Sequence, residues 1–183
     1  MQVAAAEIPR GSDRASQAEA LLVEVQPLVV RVVRLVVGAG SAAAEDAAQE
    51  ALLELSRSLP RLKNRQAAPA YAARIAARVA TRTARRERRF ALLRLHAHEA
   101  PESFSNGPAD ELLDLKEAFD RLPPRQRATA VLRLYVGLSE EETAEALGCS
   151  VGTVKHQLHD ARSGLAAYLD GRDDVTHSRR GEK

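Results

Sequence analysis

The chain is predicted to be all-α: two small helical domains joined by a flexible linker, the C-terminal one a helix-turn-helix. Three observations carry this prediction. Apolar residues recur at helical spacing through most of the 183 residues, and no segment alternates at period two. Aromatic residues make up only 3% of a chain that is 45% hydrophobic, so its core must be built from Ala, Leu and Val, which suits close helix packing. Residues 91–109 lose the periodicity and contain Pro101, Ser103, Ser105, Asn106, Gly107 and Pro108, a composition that buries too little apolar area to order itself.

The first helix is expected over Ala18 to Val37, after a mobile start, with Leu21, Val25, Leu28, Val32 and Leu35 on one stripe. Gly38 and Gly40 end it. Ser41 is placed to cap a second helix running to about Leu59, because the first N–H groups of a helix lack internal partners. Ala47, Ala51, Leu52 and Leu55 face inward there, and Asp46, Gln49, Glu50 and Glu54 outward. Glu45 and Asp46 suit the positive end of its dipole. Pro60 breaks that helix, and Leu59 to Ala68 reads as a polar, basic loop.

A third helix follows from about Pro69 to Arg89. Arg74, Arg78, Arg82, Arg85 and Arg89 form one charged stripe on it, opposite Ala72, Ile75, Ala76, Val79 and Ala80. Domain one thus spans residues 15–90 and the linker 91–109. Domain two, residues 110–169, holds a helix near Ala109 to Leu122, a second from Pro124 to Val136, and the helix-turn-helix at 139–158. In that motif Ala144 is small at a helix crossing, Gly148 suits a turn with positive φ, Ser150 caps the second helix and Val154 anchors it. Residues 170–183 are polar and are expected to form a disordered tail.

The formal charge of +2 conceals a segregation. Residues 61–94 hold eleven Lys or Arg against Glu87 alone, whereas 102–120 hold six acids against Lys116 alone. A polyanion-facing surface followed by an acidic connector is the implication. The single cysteine, Cys149, excludes an intrachain disulfide and a cysteine-rich zinc site, and its turn position suits a buried filler. Met1 to Pro9 lack the basic start and apolar run of a signal peptide, and Glu24, Pro27, Arg31 and Arg34 interrupt the most apolar stretch, so the expected compartment is the cytoplasm, with no membrane insertion. There is no phosphate-cradling glycine loop and no metal-ligand cluster, and no nucleophile near a plausible histidine base; neither an enzyme nor a cofactor or metal site is expected.

These features together resemble the extracytoplasmic-function (ECF) group of bacterial RNA polymerase sigma factors. The second module carries the closer likeness, through Leu122-Pro-Pro-Arg-Gln-Arg127 and the run from Leu132 to Lys155. The first matches through Glu45-Asp-Ala-Ala-Gln-Glu50 and Tyr71-Ala-Ala-Arg-Ile-Ala-Ala-Arg78. The resemblance implies a factor that directs promoter-specific transcription initiation. Its first domain (sigma region 2) would bind the clamp helices of the largest polymerase subunit through Asp46, Gln49, Glu50 and Glu54; an ordinary solvated face gives the same pattern. Lys63, Asn64 and Arg65 would approach the unpaired minus-ten strand, with Tyr71, Arg74, Arg78 and Arg82 beside it; a charged surface turn accounts for the loop equally well.

Its second domain (region 4) would lie near the flap of the second-largest subunit and read the minus-thirty-five element. Arg125, Arg127, Lys155 and Arg162 are candidate phosphate clamps, and Ser150, Thr153, His156 and Gln157 lie where side chains reach base edges. His156 and His159 have no third metal ligand at suitable spacing. The resemblance also implies an anti-sigma partner.

The chain departs from the family where His156 and Gln157 stand for a frequent Ser-Arg, Asp160 for a common arginine, Tyr71 for tryptophan, and Arg78 and Arg82 for asparagine and aspartate. Asp160 is expected to be repelled by phosphate and to weaken the grip on DNA. A sigma-like adaptor that does not initiate, and a stand-alone repressor, remain as alternatives.

Overall fold

A computed structural model describes residues 11–38, 41–96 and 118–180, and these form helices and their short connections, with no strand among them. The helices are α1 (Gly11–Val37), α2 (Ala42–Ser58), α3 (Ala68–His96), α4 (Pro124–Ala130), α5 (Glu140–Leu147) and α6 (Val151–Arg180). Short 3₁₀ turns at Leu59–Arg61 and Arg65–Ala67 join α2 to α3, and a π-helical stretch, Val131–Val136, extends α4.

The first three helices pack around an interior of small side chains. Val25, Val29, Val32, Val33 and Val36 of α1 meet Ala47, Ala51 and Leu55 of α2 and Ala72, Ala73, Ala76 and Ala80 of α3, all buried. Alanine on α3 lets two neighbours approach its backbone closely, and β-branched valine on α1 fills the space with little rotamer freedom to lose. The buried stripe of α1 sits one residue over from the one expected: Leu21, Leu28 and Leu35 are only half-buried and flank the valines.

Three boundaries differ from the sequence reading. Helix α1 begins at Gly11 and passes through Pro27, whose side is exposed. Helix α3 continues seven residues past Arg89, to His96, because Phe90-Ala-Leu-Leu-Arg-Leu-His96 contains no proline or glycine to stop it. The backbone of α6 stays helical to Arg180, where a disordered tail was expected from 170; polarity alone does not end a helix that lacks a breaker. In the second domain only 118–122 of the helix expected near Ala109 to Leu122 is described, and 118–121 of it is helical. Gly40 and linker residues 97–109 lie outside the described residues.

The larger difference concerns the relation of the two modules. A single hydrophobic core runs from Val25 and Val36 through α3 to Phe119, Leu122, Val131, Leu132, Leu138 and Ala161. Helices α1 and α3 contact α4, and α3 also packs on α5. Gly38 marks the seam: its φ of +114° is a left-handed conformation that suits glycine, and a Cβ there would stand 3.4 Å from Oδ1 of Asp120.

Candidate nucleic-acid interface

The helix-turn-helix is built by local polar contacts. Ser139 and Glu142 form a reciprocal capping box at the start of α5: the Glu142 N–H donates to Ser139 Oγ at 3.1 Å and the Ser139 N–H to Glu142 Oε2 at 2.8 Å. Glu140, Glu141 and Glu142 fill its first turn, and the Glu141 carboxyl is held below the usual carboxylate range, first by its own backbone N–H and then by the Ser139 hydroxyl. Gly148 closes α5 with φ +60°, as its place in the motif requires. Ser150 then caps α6 by accepting from the Thr153 N–H at 3.1 Å, while Thr143, Ala144 and Val154 are buried at the helix crossing.

Along the exposed start of α6 the predicted readers lie on one helix, but several are engaged within the chain. The Ser150 hydroxyl lies 2.9 Å from Thr153 Oγ1, Lys155 sits 3.5 Å from Glu140, and Gln157 is half-buried with its Oε1 2.8 Å from the Thr129 hydroxyl. His156 Nδ1 is 3.1 Å from Asp160 Oδ2, which also accepts from Gln126 Nε2 of α4 at 3.2 Å. Arg162 and Arg125 are exposed.

Arg127 corrects the sequence reading. It was expected at the surface as a phosphate clamp, yet it is only 7% exposed. Its guanidinium donates to the carbonyls of Asp120 at 2.6 Å, Leu122 at 3.1 Å and Val36 at 3.2 Å, and to Asp120 Oδ1 at 3.0 Å. Helix α1 ends where α4 begins, so its last carbonyls need donors, and a planar cation with five N–H groups supplies them. Burial pushes the Arg127 pKa down, Asp120 opposes that, and Arg88 adds to it.

In the first module, Asn64 caps the turn before α3 by accepting from the Gln66 N–H at 3.0 Å, and Lys63, Asn64 and Arg65 are all exposed. The arginine stripe and the acidic face, read separately in sequence, meet in space: Arg78 pairs with Glu54 and Arg82 with Glu50. Asp46 and Gln49 remain exposed on α2. Arg74 reaches the other module and pairs with Glu145 of α5 at 2.5 Å. Helix α3 and the second module thus enclose a cleft of about 770 Å³, lined by Arg74, Arg78, Arg82, Arg85, Arg86 and Arg89 of α3 and Arg125 of α4, against Glu54 and Glu145, with Tyr71 at its wall.

Sequence reasoning missed Asp120, Gln126, Thr129 and Glu145 as partners. No local signal marks them, because each acts through a neighbour brought up by packing; the Arg74–Glu145 pair spans 71 positions. Among the described residues no helix is long and apolar enough to cross a membrane.

A strongly cationic concavity beside a capped helix-turn-helix is suited to hold a polyanion, the cleft through charge and α6 through its projecting side chains. Comparison with known proteins agrees in kind. A model of sigma-70 region 2 matches residues 21–90, and one of sigma-70 region 4 matches residues 112–165. The chain is similar to the RNA polymerase sigma-E factor of Streptomyces antibioticus, at 49% identity over 65 residues, 36% of each chain. It is similar also to the ECF RNA polymerase sigma factor EcfG of Rhodopseudomonas palustris, at 41% over 66 residues, 35% of this chain and 36% of the relative. These matches span about a third of the curated relatives' length. The sigma factor RpoE of Bartonella quintana, solved with the anti-sigma factor NepR, shares the fold at a TM-score of 0.67 and 22% identity, covering 85% of this chain and 98% of that one. CnrH, solved with the cytosolic domain of CnrY, does so at 0.56 and 24%, covering 86% and 96%.

Proposed function

Because the chain belongs to the sigma-70 family and carries its regions 2 and 4 in one polypeptide, we propose that it is an ECF-type sigma factor that directs RNA polymerase core to promoters. The observation that carries this reading is the pairing of a region 2 unit, with its basic α3, and a region 4 helix-turn-helix in one chain. In this reading the acidic face of α2, with Asp46, Gln49, Glu50 and Glu54, takes the clamp helices of the largest subunit. Lys63, Asn64, Arg65 and Tyr71 hold the separated minus-ten strand, and Arg74, Arg78 and Arg82 track its phosphates. Helix α6 enters the major groove of the minus-thirty-five element, presenting Ser150, Thr153, His156 and Gln157 to bases while Arg125, Lys155 and Arg162 meet phosphates. Region 4 would sit near the flap of the second-largest subunit, and the site of action is the cytoplasm.

The work is binding and strand separation, with no covalent step for the factor to supply. An anti-sigma factor is the expected regulatory partner, supported by the fold shared with RpoE of Bartonella quintana, which was solved with one. Transcription in vitro with core enzyme on a promoter library tests the whole reading. Transcripts that start downstream of shared minus-thirty-five and minus-ten elements, and only when the chain is added, are the expected result. Core binding without transcripts would leave a second reading, a sigma-like adaptor. That reading draws on the internal engagement of the DNA-facing groups: Arg127 buried, and Arg74, Arg78 and Arg82 each paired with a glutamate.

A further inference from the structure

The cleft between α3 and the second module gathers more positive charge than the described residues neutralise. Three of its arginines have partners: Arg74 with Glu145, Arg78 with Glu54 and Arg82 with Glu50. The other four, Arg85, Arg86 and Arg89 of α3 and Arg125 of α4, line the same space and are exposed. They pair with no carboxylate among the described residues. Like charges gathered in this way repel one another, and an anion seated between them relieves the repulsion. Guanidinium suits phosphate in particular, because its planar fork meets two oxygens of one group. From Arg82 to Arg89 the helical rise spreads these groups over about 10 Å, which matches a short phosphate chain better than a lone phosphate.

The two ends of the cleft differ. Tyr71 and Ile75, near the start of α3, line it together with Ala146 and Leu147 at the end of α5, beside the Arg74–Glu145 pair. That end is aromatic and aliphatic, and the unpaired arginines of α3 begin about 15 Å further along the helix. A volume of about 770 Å³ falls in the range of small-molecule sites, and walls from both modules bound it. We propose that this cleft binds a nucleoside polyphosphate, with its phosphates on Arg85, Arg86, Arg89 and Arg125 and its base at the Tyr71 end. Helix α3 belongs to the first module and Arg125 to the second, so the ligand touches both and favours their packed arrangement. The inference concerns the free chain and does not rest on the promoter reading.

The full chain, freed of nucleic acid, is titrated by calorimetry with magnesium-free ATP, AMP, adenosine and inorganic tripolyphosphate at about 0.1 M salt. ATP should bind at one site per chain, about tenfold or more tighter than AMP, and adenosine should give no signal. Tripolyphosphate should bind about fivefold or more weakly than ATP. Tyr71→Leu, which keeps an apolar side chain but removes the ring, should erase that difference and leave tripolyphosphate unaffected. R86A/R89A and R125A, one on each wall, should each weaken ATP by about fivefold or more. R57A/R61A removes two exposed arginines that do not line the cleft and should change ATP binding by less than about twofold. Circular dichroism checks that each variant keeps the helicity of the parent. The proposal is overturned if ATP fails to bind, or if it binds no better than AMP. It is overturned too if R125A leaves ATP binding unchanged, or if R57A/R61A weakens it as much as R86A/R89A, the behaviour of diffuse attraction to a cationic surface. Tripolyphosphate that binds as tightly as ATP overturns the nucleoside assignment. Transcription from promoters can succeed or fail without altering any of these outcomes.

Discussion

The two modules are stabilised in different ways. The first is an interior of alanine and valine, non-directional and continuous along α1, α2 and α3, with few polar contacts inside it. The second is shorter and adds directed bonds to its share of the common core: a capping box on α5, a serine cap on α6, Thr129 between Arg125 and Gln157, and Arg127 fanned over carbonyls. A unit held by apolar area tolerates surface charge of either sign. A unit held by directed bonds carries its precision in a handful of atoms, which suits a helix that must present side chains to bases.

The strongest blow to the first module is Leu55→Ala. Leu55 is fully buried between α2 and its neighbours, and removing its isobutyl group should lower unfolding free energy by about 2–5 kcal/mol, measured by urea titration followed by circular dichroism. A loss below about 1 kcal/mol would mean that the alanine-valine interior is plastic. Next comes the seam. Arg127→Ala deprives three carbonyls of a charged donor and should cost about 2–3 kcal/mol. It should also split one cooperative transition into two, since the core runs through this joint; a single unaltered transition would contradict the coupling.

A smaller effect tests the directed character of the second module. Gly148→Ala forces a Cβ into φ +60° and should cost about 1 kcal/mol, with no clash to confuse the result, because nothing lies within 4 Å of the added carbon. The smallest change in stability comes from Glu50→Gln with Glu54→Gln. Both pairs are largely exposed, so less than about 1 kcal/mol is expected. The DNA-binding slope against salt should nonetheless steepen by about 1 for each arginine freed to meet phosphate. An unchanged slope would remove Arg78 and Arg82 from the phosphate-contacting set.

Periodicity made the first three helices legible, since Val25, Val32, Ala51, Leu55 and Ala76 each sit where a 3.6-residue repeat puts them. The turn chemistry of Gly148 and Ser150 was equally plain, because φ and capping are local demands. Arg127 was misread for the opposite reason. A lone arginine beside a proline-led helix start looks like a phosphate contact until the end of α1, 91 positions away, supplies a carbonyl for it. The same holds for Arg78 and Glu54. Helical spacing put each on a face, and only packing of α2 on α3 turned those faces toward one another. Asp160 was legible as a charge but not as an acceptor, for its donor Gln126 comes from another helix.

The meeting of the acidic and basic faces has a thermodynamic corollary. A cationic partner that claims Glu50 and Glu54 releases Arg78 and Arg82 from internal neutralisation, and thereby raises their attraction for a polyanion. Linkage makes this reciprocal: nucleic acid seated on α3 must tighten the grip of that cationic partner on α2 by the same factor. Two ligands of opposite sign, touching adjacent helices and never each other, would then recruit one another through four side chains.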